Sequence, residues 1–471
     1  MQPQPTARPR RRPWAILLAG VAAIALLAAC GDAESDDAEP DAAAADTDDT
    51  QEADEQASEE AAPADEGEPV ELELLYPIQV GGPIAQLIDD LVEEFEQEHP
   101  NITVNAVFSG DYADTATRVR SAAEAGSPPD LAILVANELF TFKEAGLLAP
   151  IDDLIETEEQ QAWLDSFSEG FMLNSRDGDG TTWAIPFQRS TVLQFHNKEA
   201  FEAAGLDPEA PPATWDELVE MGQAVMDADA TAWGVEIPSS IGVAGWLFNA
   251  LAIQNGASLV NDDGTETFLD DPRVVEALEF QIALSEEHGV MRSGVIEWGT
   301  SPENFFQEQT AVIWNTSGNL GNIRDNAPFE YGVSMLPAGP EGRGTPTGGG
   351  NFYLLADTPE ENQRAALTFV QWMTDPERLA EWSIATGYVA PVDAAYETEV
   401  MQAHAEENPE VLVARDQMTY AGLEFSTYEQ GQAYIGIFEE ALRAAIGGEQ
   451  SAAEALAGAQ STIDGILAPF R

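Results

Sequence analysis

Residues Val70–Val135 read VELELLYPIQVGGPIAQLIDDLVEEFEQEHPNITVNAVFSGDYADTATRVRSAAEAGSPPDLAILV, and the fold is decided there. Val70-Glu-Leu-Glu-Leu-Leu-Tyr76 alternates as a strand does, and Gly81-Gly82-Pro83 breaks it off in a turn. From Ile84 to Gln97 the period changes: Leu87, Ile88, Leu91, Val92 and Phe95 share one helical stripe, which Pro100 ends. Ile102–Phe108 reads as a second strand, Ser109-Gly110-Asp111-Tyr112 as a loop, and roughly Asp114 to Ala125 as a second helix. Leu131–Val135 is continuously apolar, the pattern of a parallel strand buried on both faces. Strand, helix, strand, helix, strand predicts a doubly wound α/β lobe, whose ligands meet loops at the carboxyl ends of strands.

The chain has 471 residues, beyond the usual reach of one hydrophobic core, so two lobes are expected. Thr182–Phe187 and Val192–Phe195 read as adjoining extended segments. Thr214 is a helix N-cap with Glu217 three residues on, and helices dominate to about Gly289. Phe329–Leu336 and Asn351–Ala356 read as strands flanking a glycine-rich loop; helices follow, broken at Thr386-Gly387-Tyr388.

The amino terminus is a different material. Arg8, Arg10, Arg11 and Arg12 precede an uncharged stretch, Trp14–Ala29, too short for a bilayer span and suited to a signal-peptide core. It ends in Leu27-Ala28-Ala29-Cys30, which resembles a bacterial lipobox, and Cys30 is the chain's one cysteine. Residues 1–29 are therefore expected to be a lipoprotein signal peptide and Cys30 the lipidated residue, anchoring the protein at the cell surface. Residues 30–69 form an acidic tether: 17 acidic residues from 31 to 69, none basic and none aromatic, cannot bury enough surface to fold. From Val70 onward 68 acidic residues face 15 basic ones, which excludes nucleic acid as a partner and disfavours anionic solutes.

Four motifs resemble the family 1 extracellular solute-binding proteins of bacterial ABC importers. They are Asn197-Lys-Glu-Ala-Phe-Glu-Ala-Ala-Gly-Leu-Asp-Pro208 with Pro212-Ala-Thr-Trp-Asp-Glu-Leu218; Phe305-Phe-Gln-Glu-Gln-Thr-Ala-Val-Ile-Trp314; Asn315-Thr-Ser-Gly-Asn-Leu-Gly-Asn-Ile-Arg324 with Gly348-Gly-Gly-Asn351; and Ala365-Ala-Leu-Thr-Phe-Val-Gln-Trp-Met373 with Ala385-Thr-Gly-Tyr388. Within the family the sequence is most similar to glycerol-3-phosphate and glycerophosphodiester binders, through Gly110-Asp-Tyr112, Pro186-Phe-Gln-Arg-Ser-Thr191, Ser317-Gly318 and Ala385–Tyr388. It departs from them in Phe425–Gly431, which offers no cation where they hold phosphate, and around Ala136-Asn137, where a binding glutamate is replaced. The resemblance implies a monomer that binds a sugar or polyol and hands it to the transmembrane subunits of an ABC permease.

It also implies a bilobal, periplasmic-binding-protein-like α/β fold with a ligand cleft at a hinge: residues 70–183 plus 316–375 as lobe 1, and 184–315 plus 376–471 as lobe 2. Candidate ligand residues are Tyr112, Asn137, Glu138, Arg189, Ser190, Trp246, Trp298, Ser317, Gly318, Gly349, Gly350, Asn351 and Tyr388: aromatic faces for sugar C–H surfaces, short polar groups for hydroxyls, glycines for close approach. Two alternatives carry their own requirements. A glycerol-phosphate binder needs Arg189 or Arg324 facing the cleft; a surface hydrolase needs paired carboxylates across it. Neither a metal nor a cofactor is expected: His99, His196, His288 and His404 are scattered, and no HExxH, GxSxG or phosphate-cradling loop occurs. The acidity predicts a salt-adapted surface. The thermal unfolding midpoint should rise by a few degrees from 0.1 to 1 M NaCl as self-repulsion is screened; a midpoint that does not rise would contradict this.

Overall fold

The computed structural model describes residues 68–78 and 83–471. The signal peptide, Cys30, nearly all of the acidic tether and the loop at 79–82 lie outside the described residues. Among the described residues no helix is long and apolar enough to cross a membrane.

The described residues form nine strands: β1 (Val70–Tyr76), β2 (Ile102–Phe108), β3 (Leu131–Val135), β4 (Ile185–Asn197), β5 (Trp233–Glu236), β6 (Thr310–Thr316), β7 (Tyr331–Ser334), β8 (Thr345–Leu354) and β9 (Ala421–Gly422). They run in the order β2-β1-β3-β8-β4-β6-β5, with β7 also on β4 and β9 also on β8. The opening β-α-β-α-β unit forms as its periodicity requires. β1 lies parallel to β2 and β3, and the helix Ile84–Glu98 buries Ile84, Ile88, Leu91, Val92 and Phe95. The second helix starts at Tyr112, because Asp111 accepts a hydrogen bond from the Asp114 N–H and so caps it. Tyr112 therefore stands on the first turn of a helix, not in the expected loop.

The middle of the chain corrects the sequence reading twice. Ile185–Phe187 of the first extended segment and Val192–Phe195 belong to one 13-residue strand, β4, with every residue buried, and Thr182–Ala184 lie before it. The glycine-rich stretch is no loop: Gly348, Gly349 and Gly350 are interior residues of β8, paired with Ser190, Arg189 and Gln188. Only Tyr331–Ser334 of the expected segment 329–336 is strand.

Strand alternation then distributes the core. Leu72, Leu74, Leu131, Ile133, Leu193, Phe195, Ile313, Phe352 and Leu354 face one long cluster. On the opposite side Leu75, Ala132, Leu134 and Tyr353 enter a small cluster at the β1–β3 end. Val192, Val312 and Trp314 enter a large one at the β5–β6 end. The helices Pro376–Thr386, Glu399–Glu407 and Glu410–Gln417, assigned from sequence to lobe 2, place Leu379, Trp382, Met401, Val411 and Ala414 in the long cluster. After Leu336 the chain returns to the β5–β6 core only from Phe425 onward.

β4 belongs to both halves. Its first half pairs antiparallel with β8 and its second with β6 and β7. The register shifts between Pro186 and Gln188, leaving Phe187 unmatched, and opposite this bulge Gly349 adopts φ +85. A Cβ on Gly349 would stand 1.8 Å from the Gln188 carbonyl oxygen. Gly349→Ala should therefore cost about 1–3 kcal/mol in denaturant unfolding. Gly458→Ala, in the exposed middle of the helix Ala452–Leu467 with open space around it, should gain about 0.5–1 kcal/mol. Equal effects at both positions would contradict the strained-bulge account.

Candidate functional site

A cavity of about 380 Å³ opens where the two halves meet. The β1–β3 side contributes Asp111, Tyr112, Asn137 and Glu138; β4, the end of β6 and β8 contribute Ser190, Thr316, Gly348 and Gly349. The other side contributes Ile241–Val243, Trp246, Trp298, Gln430, Tyr434 and Ile435, with Tyr388 and Glu424 completing the wall.

Each of four aromatic rings sits on a glycine. A Cβ on Gly348 would meet the Trp246 indole at 2.7 Å, one on Gly350 the Tyr112 ring at 2.9 Å, one on Gly318 the Tyr388 ring at 3.2 Å, and one on Gly245 the Tyr434 ring at 2.7 Å. The glycines thus serve a different purpose from the one expected. Gly318 and Gly350 do not line the cavity; they leave room for the rings that do. Hydrogen bonds then lock two of these rings. Trp246 Nε1 donates to the Thr347 carbonyl at 2.7 Å, and the Tyr112 hydroxyl donates to Gln188 Oε1 at 3.2 Å. Trp298 packs edge-on against Trp246, centroids 6.3 Å apart.

The acidic side chains of the wall are Asp111, Glu138 and Glu424, and among the described residues it holds no basic one. Asp111 caps its helix, and Glu138 faces Arg120 at 3.7 Å while burial raises its pKa. Glu424 is 3 % exposed; Oε1 accepts from Asn137 Nδ2 at 3.1 Å, whereas Oε2 has no partner. Burial pushes the Glu424 carboxyl up to about 8, against the opposing pull of Arg189 and the Asn137 hydrogen bond. Burial also lifts the Tyr388 hydroxyl to about 12, so it stays a neutral donor at any working pH.

Eight sequence candidates line the cavity: Tyr112, Asn137, Glu138, Ser190, Trp246, Trp298, Gly349 and Tyr388. The others stand behind it. Arg189 is wholly buried, its guanidinium donating to Asn351 Oδ1 at 3.0 Å and Thr347 Oγ1 at 2.8 Å beside the Phe171 ring. Asn351 also donates to the Asn174 carbonyl and Ser175 Oγ, while Ser317 Oγ accepts from the Thr191 N–H. These groups tie the crossing together. Arg324, the other cation of interest, pairs with Asp325 and is not in the lining.

Glu424, Gln430, Tyr434 and Ile435 were not among the sequence candidates. Gln430 precedes and the other two occupy a π-helix, Gly431–Glu439, in which a turn takes in an extra residue. Gln430 and Ile435, five apart, thereby share a face that α-helical periodicity would separate. The signal within reach was Glu424 itself, an acid between Leu423 and Phe425. Aromatic faces, hydroxyls and carboxylates around a cavity suit a small solute with C–H surfaces and a hydroxylated rim.

A two-lobed mixed sheet with a half-open, aromatic cavity at the crossing defines a solute-binding protein. The chain belongs to the bacterial extracellular solute-binding protein family, whose model matches residues 90–410. It is 29 % identical over 367 residues to the sn-glycerol-3-phosphate-binding periplasmic protein UgpB of Salmonella typhimurium, covering 72 % of this chain and 78 % of that one. Two solved structures share the fold with a TM-score of 0.73. One is a cyclic alpha-maltosyl-1,6-maltose binding protein from Arthrobacter globiformis, 24 % identical, covering 85 % of this chain and 99 % of that one. The other is UgpB from Mycobacterium tuberculosis in complex with glycerophosphocholine, 22 % identical, covering 86 % and 99 %.

Gly348→Ala should push the Trp246 ring off its seat and break its bond to Thr347. A red shift of indole emission that disappears in a Trp246→Phe background is the expected signature; unchanged emission would contradict the seating.

Proposed function

We propose that this chain is the extracytoplasmic substrate-binding component of an ABC import system, capturing a neutral sugar or polyol between its lobes and delivering it to a membrane permease. One observation carries the choice of solute. Among the described residues the cavity is lined by three carboxylates and five aromatic rings, and by no lysine, arginine or histidine. A phosphate entering that wall would lose its hydration without a cationic partner, whereas hydroxyls can donate to the carboxylates and ring faces can cover C–H surfaces. The relatives named for glycerol 3-phosphate support the transport role. The solute is assigned from this chain's own wall.

The solute acts as the bond between lobes. Tyr112 and Glu138 approach it from one side, Trp246, Trp298 and Tyr434 from the other, so closure adds contacts that the open form lacks. Ile241 and Ile435, 42 % and 38 % exposed at the rim, are apolar surface awaiting that cover. The lipobox-like Leu27–Cys30 would hold the protein at the membrane, and the acidic tether would let the domain reach its permease as a monomer.

A thermal-shift screen of the protein against mono-, di- and trisaccharides, polyols and glycerophosphodiesters tests this. A neutral sugar at 100 times its dissociation constant should add about 2.7 kcal/mol of stability. Stabilisation by phosphate-bearing compounds alone would overturn the assignment.

A further inference from the structure

Residues 421–430 cross between the halves and are bonded to both. The Asn249 side chain donates to the Leu423 carbonyl at 3.0 Å from the Trp246 helix. From the other side, Asn174 exchanges two 3.3 Å bonds with the Glu424 backbone, and Ser426 Oγ donates to the Asn137 carbonyl at 2.9 Å. Glu424 is the residue of this crossing whose side chain lines the cavity with a buried oxygen left unpartnered. Buried polar atoms are satisfied in the great majority of cases, so an orphaned carboxylate oxygen in a cavity wall calls for a donor from outside the protein. One layer behind, Gln188 Nε2 is likewise buried without a partner, next to the hydroxyl of Tyr112. Once ionised, the free Glu424 oxygen is an acceptor, which suits a solute group that gives a hydrogen bond. A hydroxyl gives one; a phosphate diester group only takes.

We propose that Glu424 is the solute's polar anchor on the crossing segment: its free carboxylate oxygen accepts a hydrogen bond from a solute hydroxyl, so capture of the solute and movement of the lobes act through one residue. The inference rests on the carbohydrate reading above. The groups around Glu424 are Arg189 on β4, Tyr353 on β8, Tyr112 on its helix, Tyr434 on the π-helix, and Asn137. Of the titratable ones, Arg189 stays charged and the three tyrosines stay neutral near pH 7, since burial raises each hydroxyl. Glu424 is therefore the group of this set that titrates. In the empty cleft it is held protonated until about pH 8. A donor from the solute favours the ionised form, so binding expels a proton and tightens as pH rises toward 8.

Titration calorimetry with maltose, maltotriose, mannobiose and trehalose, at pH 6.5, 7.3 and 8 in buffers of different ionisation enthalpy, tests the anchor. For whichever of these sugars binds, affinity should rise about tenfold across the series, with release approaching one proton at the acid end. Glu424→Gln should abolish the release, flatten the pH profile and weaken binding about tenfold or more at pH 8. The proton count on the unaltered protein stands if the variant fails to fold. Binding without proton release, with affinity independent of pH or falling as pH rises, overturns the anchor and leaves the carbohydrate reading in place. Failure of all four sugars to bind at millimolar concentration overturns both.

Discussion

The antiparallel pairing of β4 with β8 is the constraint on which the rest depends. β4 spends its first half beside β8 and its second beside β6 and β7, so one strand is built into both halves. The groups behind it are fixed by a dense polar weave. Arg189 reaches Asn351 and Thr347, the Thr191 hydroxyl contacts that of Thr345 at 2.8 Å, and Gln417 Nε2 donates to Thr191 Oγ1 at 3.0 Å. A fully buried guanidinium loses its hydration, which lowers its pKa, and it tolerates that position because fixed oxygens replace water. The crossing is thus a rigid mount, and Ser190 and Gly349 carry it to the cavity wall.

Specificity follows from what is mounted there. Glycines on β8 and beside the cleft leave volume for four rings, and the rings present faces where larger residues would have filled the space. Around them stand carboxyl groups, with no cation among the described residues of the wall. On the proposed reading, such a cavity disfavours anions, which would lose hydration there without a cationic partner, and rewards a solute that is apolar on its faces and hydroxylated at its edge. The acidic composition of the whole chain works in the same direction at longer range.

Much of this was legible in the sequence, and the failures have physical reasons. Val70–Val135 could be read because one period governs each segment and each ends in a strong breaker. Gly348–Gly350 read as a loop because glycine is depleted from strands; here a bulge and two aromatic seats demand it. Arg189 and Ser190 are neighbours in sequence and both candidates, but alternation on β4 sends Ser190 to the cavity and Arg189 into the weave. Tyr434 and Ile435 were hidden because a π-helix has no period that an α-helical reading recognises. Glu424 escapes the sequence reading because the family resemblance calls for a cation in Phe425–Gly431, and the informative residue is an acid one position earlier. It also lies beyond the matched family region, 90–410.

The central claim is that a neutral sugar draws the lobes together across this cavity. Small-angle X-ray scattering of the protein, alone and saturated with each saccharide or with glycerophosphocholine, measures that movement directly. The account predicts a smaller radius of gyration with a saccharide and an unchanged one with glycerophosphocholine. Compaction by glycerophosphocholine and by no saccharide would contradict it.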